Sequence, residues 1–259
     1  ESQGNLPAIV AALAAKLTGR PAKLIYDRDD DFILTGKRHD FQITYKVGFE
    51  DSGLINSVIV DQAMRCGMSW DLSEAIAARA MCHAENSYSI KNMRITSHRL
   101  KTNTQSNTAF RGFGGPQGIV GMERVIDHVA HHLDIDPLLV RERNFYPHKT
   151  SATHGITPYG QTVHDCIIQD IISELKKTSN YLERRKDIEK FNQNNDFLKR
   201  GISLTPVKFG ISFNASFLNQ AGALVHIYND GSVYLNHGGT EMGQGCLLYT
   251  SPSPRDSDS

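Results

Sequence analysis

Residues 108–133 read T-A-F-R-G-F-G-G-P-Q-G-I-V-G-M-E-R-V-I-D-H-V-A-H-H-L, a glycine-rich bend running straight into an amphipathic stretch. Gly112, Gly114 and Gly115 let a backbone turn tightly and come close to a bound group. Arg111 puts a cation in the bend, and Phe110 and Phe113 put two aromatic rings there. Pro116 suits the first residue of a helix. Met122, Ile126, Val129 and Leu133 then recur at helical spacing. A bend of this kind, at a helix N-terminus beside a guanidinium, suits an anionic or phosphate-bearing ligand. An exposed Phe there can form a flat wall for a planar ligand. The alternative is a Gly-rich turn with two core phenylalanines, and composition alone leaves both open.

Outward from this stretch the chain alternates helical and extended signals. Leu6, Ile9, Val10, Leu13, Ala14 and Leu17 predict a helix over 3–18, ended by Gly19. Residues 23–26 read as a short strand. Phe41, Ile43, Tyr45, Val47 and Phe49 alternate with polar residues, the mark of a half-buried strand. Glu50-Asp51-Ser52-Gly53 turns the chain, so 54–61 is expected to return as its hairpin partner. Residues 73–83 read as helix and 93–104 as extended. Two further helices are expected over 167–175 and 182–191, the second with a solvated, charged face. Residues 202–213 read as a strand, and Ala223–Tyr228, Asn229-Asp230-Gly231-Ser232 and Val233–Asn236 as a second hairpin. This mixture predicts an α+β fold, with no βαβ repeat clear enough for a Rossmann sheet.

Composition narrows the function classes. The 259 residues carry 28 basic and 28 acidic side chains, so no net field favours nucleic acid or an anionic membrane. No run of about 18 apolar residues occurs, and the first residues lack the basic start of a signal peptide. Cys66, Cys82, Cys166 and Cys246 are scattered, with no C-x-x-C pair for an iron–sulfur or zinc-ribbon site; reduced thiols and a cytoplasmic location are expected. D-R-D-D-D (27–31) superficially resembles a calcium loop, but Phe32 and Arg38 stand where an EF-hand needs Gly and Glu, so an acidic helix N-terminus is the better reading. His128 and His132 lie one turn apart and can share a metal in principle, yet no H-E-x-x-H pattern accompanies them; a polar helix face is expected. A second Gly-rich segment, H-G-G-T-E-M-G-Q-G (237–245), offers backbone amides, the Gln244 carboxamide and the Met242 thioether to a polar cofactor. A plain strand-to-helix turn is its alternative. Residues 246–259 read C-L-L-Y-T-S-P-S-P-R-D-S-D-S, the composition of an unfolded tail, expected to be non-native or disordered, or else a native linker.

Taken together, T-A-F-R-G-F-G-G-P-Q (108–117), K-F-G-I-S-F (208–213), L-N-Q-A-G-A-L (218–224) and H-G-G-T-E-M-G-Q-G (237–245) resemble the molybdopterin-binding large subunit or domain of the xanthine dehydrogenase and aldehyde oxidase family. D-R-D-D-D (27–31) and Y-K-V-G-F (45–49) fit as well, and the resemblance runs over 1–245. It implies a partial molybdenum-cofactor-binding region over 1–245, with a possible subdomain break near 195–200. It also implies the reaction class: hydroxylation of hypoxanthine or xanthine, by attack of a metal-bound hydroxide on a ring carbon and hydride transfer to a sulfido ligand of molybdenum. Electrons then leave through 2Fe-2S clusters and FAD on a partner subunit or domain, and the full complex is expected to be a dimer.

Residue by residue, the resemblance assigns Glu1 and Arg79 to the purine, Arg79 from D-L-S-E-A-I-A-A-R (71–79), with Arg79 stabilising the transition state. Phe113 is implied to stack on the purine and Phe213 to meet it edge-on, next to Asn214, where the family usually has Thr. Arg111 is implied beside the molybdenum and Gln244 on the pterin, with Gly112, Met242 and Gly243 also binding the cofactor. The family's general-base Glu falls beyond Gly245, so the 259 residues alone are expected to be inactive. Aldehyde oxidases of the same fold tend to carry apolar residues in place of Glu1 and Arg79, so the pair favours a purine. An aldehyde oxidase with an unusual pocket, and a non-catalytic fold or assembly module, are the alternative readings.

Overall fold

The computed structural model describes residues 4–210 and 220–239. The chain divides into two units, Glu1–Phe209 and Gly210–Ser259. In the first unit the order is α1 (Asn5–Thr18), α2 (Arg28–Leu34), β1 (Phe41–Phe49), β2 (Ile55–Gly67), α3 (Ser73–Cys82), β3 (Asn92–Lys101), α4 (Gly115–Leu133), α5 (Pro137–Asn144), β4 (Gly155–Ile156), β5 (Thr162–Val163), α6 (Ile168–Thr178) and α7 (Tyr181–Gln193). The described part of the second unit is one antiparallel hairpin, β6 (Ala223–Ile227) and β7 (Val233–His237), joined where Tyr228 N–H donates to Ser232 O.

The α+β expectation holds, with one addition. β1 and β2 pair antiparallel from Phe41 opposite Met64 to Val47 opposite Val58. β2 then pairs parallel with β3, Ser57 opposite Asn92, so α3 lies in the crossover of a single βαβ unit. That pairing is non-local and leaves no repeat in the sequence to detect it by. Two expected strands are not seen among the described residues: 23–26 are irregular, and so are 202–210. The helix over 5–18 forms and closes on Gly19 at φ 66, but its apolar stripe faces outward, with Leu6, Ile9, Leu13 and Leu17 exposed. At 27–31 the acidic reading is correct: Asp27 caps α2, its Oδ1 accepting from Asp30 N–H at 2.8 Å.

The core of the first unit lies between the sheet and α4. Ile55, Val58 and Val60 of β2 meet Met122, Val125, Ile126 and Val129 of α4, and Ile43, Tyr45 and Val47 of β1 pack alongside. Each such aliphatic residue contributes roughly 1.5–3 kcal/mol on burial. His128 and His132 stay on the rim, Nδ1 of His128 hydrogen-bonded to the Tyr45 hydroxyl and the His132 ring edge-on to Phe49 at 5.5 Å. Arg141 of α5 is fully buried between Glu123 (2.8 Å) and Asp127 (2.9 Å) of α4, and Tyr88 O–H donates to the same Glu123 at 2.6 Å. Burial, then the Glu123 carboxylate, pushes the Tyr88 hydroxyl far above its usual range. Breaking a buried pair of this kind leaves an uncompensated charge and is strongly destabilising.

Two glycines set the distance between α3 and α4. A Cβ on Gly114 would lie 2.2 Å from Ile76 O, and one on Gly118 would lie 2.3 Å from Ala80 O. Backbone therefore touches backbone. Gly118→Ala is expected to force the helices apart and lower stability by about 1–3 kcal/mol, seen as a lower urea midpoint at unchanged m value.

Candidate active site

The bend at 108–117 is tied to three elements before it reaches α4. Thr108 Oγ1 donates to Asp71 Oδ1 at 2.7 Å, and that same oxygen accepts from Leu72 N–H at 2.6 Å, just ahead of α3. Asn107 donates to Arg65 O of β2 at 3.0 Å, and Thr108 N–H to Lys37 O at 3.1 Å. Gln117 Nε2 donates to His39 O at 3.0 Å, and His39 Nε2 bonds Ser73 Oγ at 2.8 Å. Between these anchors, Gly112, Phe113 and Gly114 run at φ 92, 53 and 97. A phenylalanine in the left-handed region is strained, and it persists only where its surroundings over-determine it.

That backbone turns the Phe113 ring inward. It is half-buried against Met64, Cys66, Ile76 and Ala77. Its centroid lies 5.9 Å from the guanidinium carbon of Arg79, which projects from the last turn of α3 and is only 6% exposed. On another side of Arg79 lies the Phe209 ring, at 5.4 Å. Phe209 also packs on His83 at 4.8 Å and covers Gly115, where a Cβ would be 2.4 Å from it. Arg79 thus sits between two aromatic rings, a cation–π arrangement that strengthens as water is removed. Burial lowers its pKa, against Cys82, which raises it; a guanidinium starting so high stays charged at neutral pH. Burial first, then Glu85, pushes the Cys82 thiol upward, so it stays protonated.

The expected site residues divide accordingly. Arg79 and Phe113 come together. Arg111 is exposed on the same bend, its carbonyl accepting from Arg38 Nη2 at 2.7 Å, and Gly112 follows it. Glu1, Phe213, Asn214, Met242, Gly243 and Gln244 lie outside the described residues, as does the tail 246–259. Cys66, Cys82 and Cys166 are free thiols. Two neighbours were missed. Phe209 stands inside K-F-G-I-S-F (208–213), where a wall residue was assigned only to Phe213. Arg38 stacks on Phe110 at 4.2 Å, and no local pattern in G-K-R-H-D (36–40) marks it.

The described part suits an anionic, phosphate-bearing cofactor. Arg38 and Arg111 place two cations at a bend whose backbone is held in left-handed turns. Arg38 Nη1 is buried without a hydrogen-bond partner among the described residues, a costly state for a charged donor in the absence of an acceptor. Among the described residues no group of three or more His, Cys, Asp and Glu side chains is placed to hold a metal ion directly.

Comparison with known proteins agrees with this geometry. Residues 2–145 and 174–250 each match a model described as molybdopterin cofactor-binding domain. The chain belongs to the molybdopterin cofactor-binding domain family. Its cofactor is accordingly molybdenum-molybdopterin. The chain is 45% identical over 245 residues to xanthine dehydrogenase of Oryza sativa subsp. japonica, and 46% identical over 245 residues to xanthine dehydrogenase/oxidase of Gallus gallus. Each alignment covers 95% of the chain and 18% of the relative, so the chain spans less than a fifth of those proteins. Solved structures share the fold at lower identity. The aldehyde oxidoreductase from Desulfovibrio desulfuricans aligns with a TM-score of 0.67 at 24% identity, covering 87% of this chain and 24% of that one. A Cu,Mo-CO dehydrogenase aligns at 0.69 and 20% identity, covering 92% and 31%. No described helix is long and apolar enough to cross a membrane.

Two histidines give this region a pH signature. His39 and His83 are both buried, and burial is the first cause lowering each below 6.5; Asp71 and Asp40 oppose it at His39, the bond to Arg79 O at His83. Their lowered folded pKa means that the unfolded chain binds more protons just below its own value. Stability from these rings is therefore present above about 6.5 and lost as the pH falls through the folded values. The urea midpoint of the chain is expected to drop on acidification from pH 7 to 5, and His83→Gln to flatten that slope.

Proposed function

We propose that the protein containing this chain is a molybdenum hydroxylase that oxidises hypoxanthine or xanthine, with Arg79 as its transition-state-stabilising residue. The observation that carries this reading is the buried Arg79 guanidinium held between Phe113 and Phe209 beside the cofactor-type bend. The xanthine dehydrogenase names of the relatives support the substrate class. Arg111 and Gly112 are proposed to hold the cofactor near its metal, and Met242, Gly243 and Gln244 to contact the pterin. When bound, the cofactor supplies the oxygen transfer and the two-electron redox chemistry.

This chain's side chains do the rest. A purine under nucleophilic attack gathers negative charge on its ring and exocyclic oxygen. Arg79 meets that charge in the transition state more strongly than in the ground state, and low local polarity amplifies the difference. Phe113 offers one wall for a flat ring and Phe213 a second, holding the substrate in a near-attack pose. Glu1 hydrogen-bonds the purine edge and sets its orientation, and Asn214 lies beside Phe213 as a further polar contact. The general base is supplied from outside these 259 residues, so the chain alone is proposed to turn over no purine. The proposal extends to iron–sulfur and FAD centres on a partner subunit or domain, a dimeric complex and a cytoplasmic location.

The aldehyde oxidoreductase likeness is one of fold alone, which hosts more than one chemistry. In the full-length protein kcat/KM for xanthine is expected to exceed that for benzaldehyde. Arg79→Met is expected to cut purine kcat by roughly 10²–10³-fold, the typical effect of deleting one such charge stabiliser, with molybdenum content unchanged. Undiminished xanthine turnover by that variant would remove Arg79 from the mechanism.

A further inference from the structure

Residues 206–209 pass the end of α3 as irregular backbone, outside any sheet. Backbone polar groups in such a segment still need partners. Two of them find one residue. Asn86 Nδ2 donates to Pro206 O at 2.9 Å, and Asn86 Oδ1 accepts from Lys208 N–H at 3.1 Å. A carbonyl and an amide flanking one residue, here Val207, are the pair that a neighbouring parallel strand would engage. The Asn86 carboxamide takes the place of that strand. It is itself fixed, since it is fully buried, sits at φ 50 in the turn after α3, and also donates to Glu123 Oε1 at 2.8 Å. Asn tolerates the left-handed turn, and its amide carries both the donor and the acceptor required.

The side chains of the segment follow from this clamp. The Lys208 ammonium pairs with the buried Glu85 carboxylate and lies over the rings of Tyr146 at 5.2 Å and Tyr159 at 5.4 Å. The next residue is Phe209, whose ring covers Gly115 and rests on His83 and the Arg79 guanidinium.

We propose that Asn86 is a positioning residue: by clamping the backbone on both sides of Val207 it seats Phe209 against Arg79 and so fixes the guanidinium in the candidate active site. The catalytic consequence rests on the reading of Arg79 given above; the seating itself does not.

The test uses the full-length holoenzyme. Asn86→Gly removes both clamp bonds and keeps the left-handed turn without strain. Hydrogen exchange of the Lys208 amide is expected to rise about tenfold, the scale of losing a net hydrogen bond or two. kcat/KM for xanthine is expected to fall by about the same factor, at unchanged molybdenum content. Phe209→Ala, at a side chain 41% exposed, is expected to lower kcat/KM comparably while leaving the fold intact. Because both act through one seat, adding Asn86→Gly to Phe209→Ala is expected to cost little more. Unchanged exchange at Lys208, an inert Phe209→Ala, or a full additive penalty in the double variant each overturns the proposal. Faster exchange in a protein that turns over no xanthine supports the seating and overturns the purine reading instead. If Asn86→Gly does not fold, Phe209→Ala alone decides: full kcat/KM refutes the seat, and a comparable loss supports it.

Discussion

The contact of α4 on α3 through Gly114 and Gly118 governs the geometry of this unit. Ile76 O and Ala80 O lie only 2.2 and 2.3 Å from where Cβ atoms on those glycines would be, so the two helix backbones touch. The bend before α4 then has little room, and it closes through left-handed residues, with Phe113 among them. The same approach brings the end of α3, where Arg79 sits, under the start of α4. A wider helix pair would have let Phe113 relax to an ordinary conformation and would have moved the guanidinium away from it. Strain in the bend and placement of the cation share one cause.

Polar side chains carry the connections that ladders and apolar packing leave out. Asp71 joins α3 to the bend, Gln117 and His39 join α4 to the entry of β1, and Asn86 joins α4, the turn after α3 and residues 206–208. Asn86 meets Glu123, Pro206 and Lys208 together, and a satisfied buried network orders a structure rather than weakening it. These links span dozens of residues in sequence. They are the part of the architecture most exposed to single substitutions, because removing one partner leaves others desolvated and unmet.

Local periodicity was enough to read β1, β2, α3, α4 and the β6–β7 hairpin in the sequence, since each has an apolar pattern of matching period and a turn or cap at its end. What escaped depends on contacts between distant residues. The parallel β2–β3 pairing has no local signature. Residues 202–210 have the apolar content of a strand, yet the backbone of Pro206 and Lys208 is met by a side chain, Asn86. The stripe of α1 marks a helix with an apolar face, but periodicity does not record what covers that face; Leu6 and Leu17 are exposed. In the site, Arg79, Arg111 and Phe113 were assigned through motif resemblance, and no spacing rule would have chosen them over surface cations and a core ring. Phe209 and Arg38 needed the fold, because each becomes relevant only through a partner dozens of residues away.

Among the described residues, Arg79 and Arg141 are buried in opposite electrostatic settings. Arg141 lies between Glu123 and Asp127, and despite burial its pKa is raised, chiefly by Glu123. Its charge is stabilised where it sits, and it fastens α5 to α4. Arg79 moves the other way, burial lowering its pKa. Burial therefore works against the Arg79 charge, while the aromatic faces of Phe113 and Phe209 act in its favour. A cation kept in such surroundings interacts strongly with any negative charge that develops beside it, because little solvent has to reorganise.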